Sequence, residues 1–253
     1  CGDFLFVDLD TVRKYFSSGE VVDLYARAAN SLGLWTSEKR VFHKLFNHTD
    51  RLLDLGCGAG RIALALCAEG YKDIIGIDYS KAMIAEARRV ARARCLQVPF
   101  RVGDATQLKL SNLELDGVIF GFNGLMHIPR REGRRQAIGE VFRILRHGGM
   151  FVFTTHDRAT ANFRKFWRRE KMMWRSGKQK KELDDFGDRF ESTPLGNLFI
   201  HVPSTEEIRQ DLKARGFKIE ADFRRSQIAN ESSAVREFSD DCRFWIVQKP
   251  GHS

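Results

Sequence analysis

The chain has 253 residues, a net charge of +9 and a hydrophobic fraction of 43%. This length is enough to bury a full core, and it favours one α/β domain over two. No apolar run approaches the roughly 20 residues that a membrane span requires, so we expect a soluble protein without a membrane partner.

The cysteine content predicts the redox environment. The five cysteines are odd in number and show no spacing typical of a metal site: Cys1, Cys57, Cys67, Cys95 and Cys242. This usage favours reduced thiols in the cytoplasm and predicts neither a disulfide nor a bound metal. The first residues lack a basic segment and a cleavage site, so we expect no signal peptide.

The chain alternates strands and helices in its first two thirds. Residues 1–47 are predicted to be helical. From 51 to 155, short apolar runs alternate with longer amphipathic ones, which indicates a parallel sheet with crossover helices. We predict strands at 51–55, 73–77, 100–102, 117–120 and 150–154. The helices are predicted at 61–69, 81–93 and 134–145, and the last is expected to end at His147-Gly148-Gly149.

A basic and aromatic segment interrupts this alternation. After it, a capping box at 204–207 opens a helix that ends near Gly216, and strands are predicted at 217–223 and 243–248. We therefore expect one domain over 1–253. It has an N-terminal helical lid (1–47), a core (48–157), a lid insertion (158–203) and a C-terminal part (204–249). Segments that follow the carboxyl ends of strands lie where open α/β sheets bind ligands, which is why we interpret both as lids.

A strand, a tight glycine turn and a helix start occupy residues 52–61. Gly56, Gly58 and Gly60 allow the backbone to approach a ligand closely. A dinucleotide-binding turn would have glycine at the sixth position of this motif, where Arg61 stands, so the pattern disfavours NAD. Asp54 precedes the turn and is interpreted either as a structural turn acid or as an acceptor for a ligand ammonium group.

Two further acids follow the ends of the next two predicted strands. A carboxylate at Asp78 can accept hydrogen bonds from both hydroxyls of a ribose. Asp104 ends the third strand, where it can accept a bond from an adenine amino group. Acids at three successive strand ends predict a nucleoside pocket that has no phosphate cradle.

These motifs resemble the class I S-adenosylmethionine-dependent methyltransferases, from about residue 25 to residue 249. The resemblance rests on the glycine turn, Asp78-x-Ser80-x-x-Met83, Gly103-Asp104-Ala105 and Arg143-x-Leu145-x-x-Gly148-Gly149. It implies a doubly wound, mostly parallel seven-stranded α/β sheet with an antiparallel last strand. It also implies S-adenosylmethionine as the methyl donor, S-adenosylhomocysteine as the product, and no metal. His147 stands where the family often has proline, which affects a turn rather than chemistry.

The resemblance also implies roles for individual residues. The three glycines would shape the methionine end, Asp78 would hold the ribose, Tyr79 and Met83 would flank the adenine, and Asp104 with Ala105 would bind its edge. The whole predicted cofactor set is Tyr25, Trp35, Asp54, Gly56, Cys57, Gly58, Gly60, Asp78, Tyr79, Met83, Asp104, Ala105, Phe122 and Asn123.

A narrower similarity, over 120–129, 153–158 and 237–245, links the chain to bacterial methyltransferases of unassigned substrate. It implies the reaction type without the acceptor. Tyr25 and Trp35 are interpreted either as a cation–π cover for the sulfonium or as ordinary packing residues.

Three residues are candidates for proton transfer. Methyl transfer is an in-line displacement in which positioning and exclusion of water matter most. A base helps only when the acceptor must lose a proton. His127, His156 and Asp157 follow the fourth and fifth predicted strands and are the candidates, with Asn123 as an orienting group. The alternative interpretation of His127, which the sequence favours, is a core or helix-start histidine.

The insertion concentrates charge. From 158 to 181 there are ten basic residues against one acid, Glu170. We name Arg158, Phe163, Trp167 and Trp174 as candidate substrate-binding residues. The segment has three interpretations: a plain lid helix, an anion-binding wall for an acidic substrate, or an RNA-binding face.

The leading hypothesis is methyl transfer to an O, N or S atom of a small molecule, anionic if the basic insertion binds it. One rival is a tRNA or rRNA methyltransferase whose basic segment contacts RNA. A second rival is a regulatory subunit that binds S-adenosylmethionine without catalysis.

Overall fold

The computed structural model describes residues 7–251, so the first six residues of the predicted N-terminal lid, Cys1 among them, lie outside the described part. The rest of this N-terminal segment is helical, as predicted, with α1 (Leu9–Phe16), α2 (Gly19–Ser31) and α3 (Thr36–Leu45). Helix α1 begins where the Asp8 carboxylate accepts a bond from the Thr11 amide, which satisfies one of the free N–H groups at the helix start.

A seven-stranded sheet forms the centre of the molecule, in the order β3-β2-β1-β4-β5-β9-β8. Strands β1 to β5 are parallel, and β9 runs antiparallel to both β5 and β8. This confirms the predicted α/β architecture with its antiparallel last strand. The strands are β1 (Arg51–Leu55), β2 (Asp73–Asp78), β3 (Phe100–Val102), β4 (Leu115–Phe120), β5 (Leu145–Thr155), β8 (Lys218–Arg224) and β9 (Arg243–Gln248).

Helices cover both faces of this sheet. Successive strand residues point to opposite faces, so Leu52 joins one hydrophobic cluster and Leu53 the other. In β9, Phe244 likewise joins the first cluster and Trp245 the second. One cluster includes residues of α3, α4 (Arg61–Ala68) and α5 (Lys81–Ala93), and the other includes residues of α6 (Arg131–Ile144) and α8 (Thr205–Arg215).

The junction between α6 and β5 differs from the prediction. The helix begins at Arg131 and ends at Ile144, and residues 147–149 lie inside β5 instead of ending the helix. The carbonyls of Arg143 and Ile144 accept bonds from the amides of residues 113 and 114, so the helix end needs no glycine cap. Gly148, at φ +77°, donates instead to the carbonyl of Lys249.

The insertion contains more structure than the sequence predicted. It consists of α7 (Arg164–Arg175) and an antiparallel pair, β6 (Asp188–Thr193) and β7 (Gly196–His201). Two short helices, α9 (Arg225–Ile228) and α10 (Ser233–Phe238), also lie unpredicted between β8 and β9. Half of the predicted capping box of α8 forms: the Ser204 hydroxyl accepts from the Glu207 amide, whereas the Glu207 carboxylate pairs with His201 and Arg158.

No helix within residues 7–251 combines the length and the apolar character needed to cross a membrane.

Candidate functional site

A large cavity lies at the carboxyl ends of the first four strands, with α1 and α2 along its side. Its volume is about 1080 Å³, including the open mouth. The structure brings eleven of the fourteen predicted cofactor residues to its wall: Tyr25, Asp54, Gly56, Cys57, Gly58, Asp78, Tyr79, Met83, Asp104, Ala105 and Phe122. It places Trp35, Gly60 and Asn123 outside that lining.

The glycine turn is left-handed at all three glycines, with φ of +65° at Gly56, +54° at Gly58 and +87° at Gly60. A Cβ on Gly58 would lie 3.2 Å from the Tyr25 ring, inside the cavity wall. A Cβ on Gly60 would lie 2.7 Å from the ring of Phe100, so this glycine allows α4 to pack closely on the sheet. Gly60 therefore shapes the turn without facing the cavity.

Asp78 ties the turn to the end of β2. One carboxylate oxygen accepts from the Gly58 amide at 2.9 Å, and the other accepts from the Ser80 amide at 2.8 Å. Burial raises the pKa of Asp78, and the two amide bonds oppose that rise. Each oxygen keeps a free lone pair for a ligand hydroxyl.

Asp104 and Asp54 complete the set of strand-end acids. One oxygen of Asp104 accepts from both the amide and the hydroxyl of Thr106, at 2.8 and 2.7 Å. Asp54 is 1% exposed and accepts a bond from the Ala63 amide at 3.0 Å. Burial raises the pKa of Asp54 to about 7, although the Ala63 bond and the charge of Arg61 act against it.

A row of aromatic rings lies along the cavity. Phe16 is 5.1 Å from His127 and 5.9 Å from Tyr25, measured between ring centroids. Tyr25 is 5.7 Å from Phe122, which stacks on Phe238 at 5.1 Å. The row gives the cavity a continuous aromatic wall.

Trp35 adopts the packing alternative. Its indole lies between the guanidinium groups of Arg61 and Arg225, at 4.5 and 5.0 Å from the ring centre. Its cation–π partners are therefore protein side chains, and it contacts two residues of the cavity wall, Arg61 and Phe122, without lining the cavity itself. Tyr25 does line the cavity, and burial raises the pKa of its hydroxyl above the ordinary range.

Of the three proton-transfer candidates, His127 lines the cavity. Its Nδ1 lies 3.0 Å from the carbonyl oxygen of Phe199. A carbonyl only accepts, so Nδ1 carries the hydrogen and Nε2 is left as an acceptor. Burial, together with the nearby His156, lowers the pKa of His127 to about 4, whereas the Phe199 bond favours the protonated ring.

His156 and Asp157 lie outside the cavity wall. Nε2 of His156 faces the Asn123 side-chain amide at 3.2 Å. Asp157 is buried, with Arg224 and Arg243 at 3.9 and 3.7 Å from its carboxylate. These arginines lie at the ends of β8 and β9, so the acid balances charge at the far edge of the sheet. Neither residue is positioned to touch a ligand in the cavity.

The four candidate substrate-binding residues also lie away from the cavity. Arg158 donates to Glu207 at 3.1 Å and to two backbone carbonyls of the insertion. Trp167 is buried in a cluster with Met126, Ile200 and Val202. Trp174 packs edge-on against Phe186, and Phe163 is 47% exposed.

Sequence reasoning missed several apolar residues that line the cavity. They are Leu9, Val12, Phe16, Ile128 and Phe238. The spacing of the first three, at i, i+3 and i+7, marks one face of α1 and could have indicated a buried stripe. The last two lie within the segments of the narrower similarity, 120–129 and 237–245, but that similarity assigned them no role.

A second polar cluster lies in the insertion. Asp185, Asp188 and His201 are the one group among residues 7–251 with potential metal-ligand atoms close together, all within 4.8 Å. His201 already faces Asp188 at 2.6 Å and Glu207 at 2.8 Å. Asp185 pairs with Arg134 at 3.0 Å, so protein groups occupy these ligand atoms.

Comparisons with known proteins agree on one kind of domain. Residues 52–149 match a family model described as a methyltransferase domain. A demethylmenaquinone methyltransferase of Leptospira interrogans is 40% identical over 105 residues, which are 40% of this chain and 41% of that protein. A carboxy-S-adenosyl-L-methionine synthase of Campylobacter curvus is 27% identical over 181 residues, covering 70% of this chain and 74% of that protein.

Solved structures support the same fold. A methyltransferase from Methanosarcina mazei, described as S-adenosylmethionine-dependent, superposes with a TM-score of 0.68 at 21% identity. That match covers 87% of this chain and 100% of the other, and it bears on fold alone. The chain spans only 41% of the length of the Leptospira relative.

Proposed function

Because the chain belongs to the class I S-adenosylmethionine-dependent methyltransferase family, we propose that it binds S-adenosylmethionine in the strand-end cavity. We propose further that it transfers the methyl group to an O, N or S atom of a small molecule. The observation that carries this proposal is the convergence of Asp54, Asp78 and Asp104 with the left-handed glycine turn on one cavity.

The residues present fit the methyl donor. Asp78 would hold the ribose hydroxyls, and Asp104 with Ala105 would bind the adenine edge between Tyr79 and Met83. Gly56 and Gly58 would leave room for the methionine end, and Asp54 lies below it. When bound, the donor supplies a methyl group that an acceptor atom takes by in-line displacement. The protein's part is to position both molecules and to exclude water.

The charges in the cavity wall support the same assignment. Among the described residues of the wall, three carboxylates stand against one cation, Arg61. Both terminal nitrogens of Arg61 donate to Glu38 at 2.6 Å, so its charge is already balanced. A ligand with a sulfonium and an ammonium group is favoured in such a site because opposite charges attract strongly where water is excluded.

The substitution Asp78→Ala tests this proposal. It removes the ribose acceptor, and we expect S-adenosylmethionine and S-adenosylhomocysteine to bind about 10–100-fold more weakly, the cost of a hydrogen bond to a charged group. Calorimetry measures both affinities. The control is Asp73→Ala, an exposed acid at the other end of β2. Equal affinities for the wild type and Asp78→Ala would refute the proposed role of Asp78.

One observation keeps RNA as a second candidate acceptor. The outward face of α7 carries exposed cations that form no ion pair with any described carboxylate: Arg164, Lys165, Arg168, Arg169, Lys171 and Arg175. Such a face attracts a phosphate backbone, with an affinity that falls steeply as salt rises. It lies outside the cavity, however, so RNA binding there would require the target base to reach the strand ends separately.

A further inference from the structure

We propose that the methyl acceptor is a neutral, largely apolar ring compound with a hydroxyl group, and that this hydroxyl donates a hydrogen bond to Nε2 of His127. The inference rests on the proposed function, because it assigns the part of the same cavity that the methyl donor would leave free. It names a class of substrate and one residue that contacts it.

The shape and chemistry of that part of the cavity come from α1 and the segment after β4. One face of α1 contributes Leu9, Val12 and Phe16, and Ile128 follows His127 in the wall. Phe16 stands edge-on to the His127 ring. Pockets lined by apolar and aromatic side chains with a single polar group favour apolar ligands that carry one matching polar atom.

The charges exclude an anionic acceptor from this part of the cavity. Arg61 is the one cation in the described wall, and Glu38 and the Gly33 carbonyl occupy its terminal nitrogens. The cations of the insertion lie elsewhere, as Arg158 with its Glu207 partner illustrates. A carboxylate or phosphate here would lose its hydration beside three acids, and no cation of the described wall is available to pair with it. The basic insertion therefore does not predict an acidic acceptor for this cavity.

His127 is held in the orientation that this role needs. The Nδ1–H group donates to the carbonyl of Phe199, a residue of β7, and so fixes the tautomer with the lone pair on Nε2. Phe199 is itself buried against Val12 and Phe16. The insertion and α1 thus support the ring from two sides. Burial and the charge of His156 lower the His127 pKa to about 4, so the ring is neutral near pH 7.

The chemistry balances around this ring. The acceptor oxygen forms a bond to the methyl carbon, and the electron pair of the broken carbon–sulfur bond stays on sulfur. The hydroxyl proton passes to Nε2, so one positive charge moves from sulfur to the imidazole ring. The net charge of the cavity is unchanged during the step, and the imidazolium loses its proton to water when the product leaves.

A matched pair of probes tests the substrate class. 2-Naphthol and 2-naphthoate share one ring system and differ in carrying a neutral hydroxyl or an anionic carboxylate. In calorimetry on protein saturated with S-adenosylhomocysteine, we expect 2-naphthol to bind at least about tenfold more tightly. Equal affinity, preference for naphthoate, or binding of neither probe would overturn the inference. Saturation with S-adenosylhomocysteine is measured first, so failure of the cofactor proposal shows up separately.

Two variants test the role of His127. Asparagine in His127→Asn keeps an N–H group that can reach the Phe199 carbonyl but lacks Nε2, so 2-naphthol binding should fall about tenfold while S-adenosylhomocysteine binding is unchanged. The amide oxygen of His127→Gln can still accept the hydroxyl but cannot take its proton, so binding should persist and methyl transfer to 2-naphthol should be lost. The control is the exposed His48→Asn. Wild-type binding and transfer in both His127 variants would remove this residue from the mechanism.

Discussion

The carboxylate of Asp54 is buried beneath the glycine turn and accepts a hydrogen bond from the backbone N–H of Ala63. Its pKa of about 7 means that the free protein holds a proton there over much of the range in which an exposed aspartate is ionised. A ligand ammonium group placed next to it would favour the ionised form and lower that pKa. Binding of the methyl donor and loss of this proton are then linked.

The linkage has a definite sign. Below pH 7 the free protein carries the Asp54 proton and the complex does not, so binding should release up to about one proton at pH 6 and should tighten as the pH rises towards 7. Calorimetry of S-adenosylmethionine binding in buffers of different ionisation enthalpy measures the number released. The Asp54→Asn variant has no proton to lose. If it releases as many protons as the wild type, another group is responsible.

At the scale of elements, buried ionic contacts fasten the N-terminal helices to the core. The first residue of α4, Arg61, pairs with Glu38 of α3, and the Glu38 side chain also accepts from the Trp35 amide at 2.9 Å. Glu231 accepts from the amides of Thr36 and Ser37 at the same end of α3. These acids satisfy free N–H groups at the start of α3, and Arg61 connects that helix to the cavity wall.

Removal of one partner should be costly. Glu38→Ala leaves the Arg61 charge buried and unpaired, and we expect it to lower the free energy of unfolding by about 3–5 kcal/mol. Urea unfolding followed by circular dichroism measures this. The matched control is Glu86→Ala, which breaks an ion pair with Arg89, a largely exposed residue, and should cost about 1 kcal/mol or less. Similar losses in the two variants would mean that burial adds little to the Arg61 pair.

Some residues of the site could be predicted from the sequence. The strand-end acids Asp54, Asp78 and Asp104 were predicted because the carboxyl ends of parallel strands lie at one edge of the sheet, so residues that follow those ends are close in space. Asp157 also follows a strand end, but Arg224 and Arg243 bind it from strands far along the chain. Trp35 is held between Arg61 and Arg225 in the same way. A local sequence pattern does not indicate partners that are distant along the chain.

Element boundaries failed for a related reason. Helix α5 and strand β1 match their predicted bounds, since a cap or a change of period marks each end. The hairpin of β6 and β7 was missed because β6 is mostly half-buried and shows no clean alternation of apolar and polar residues. The hairpin affects the cavity only indirectly, because the carbonyl of Phe199 in β7 accepts a hydrogen bond from the cavity residue His127.

Over the whole molecule, charge is separated. The cavity wall holds three acids, whereas ten of the basic residues lie between 158 and 181, opposed by Glu170. On the outward face of α7, Met172 is 67% exposed, and helical spacing puts Arg168, Arg169 and Arg175 one turn from it. The inner face of the helix, with Trp167, packs on the body of the protein. The two regions should therefore respond independently to mutation.

Substitution of the α7 cations tests whether this face binds RNA. The variant replaces four of them, Arg164, Lys165, Arg168 and Arg169, with glutamine. Removal of these charges should weaken non-specific binding of tRNA and reduce the slope of log affinity against log salt by roughly 3, at about 0.7–0.9 per lost phosphate contact. Filter binding across a salt series measures this, and a fourfold control removes exposed cations elsewhere, at Lys72, Arg92, Lys109 and Lys213. S-adenosylhomocysteine affinity and methyl transfer to 2-naphthol should stay at wild-type values in both variants, because none of these residues lines the cavity.

A different result would establish RNA as the acceptor: the wild type would transfer labelled methyl groups to tRNA, and only the α7 variant would lose this transfer.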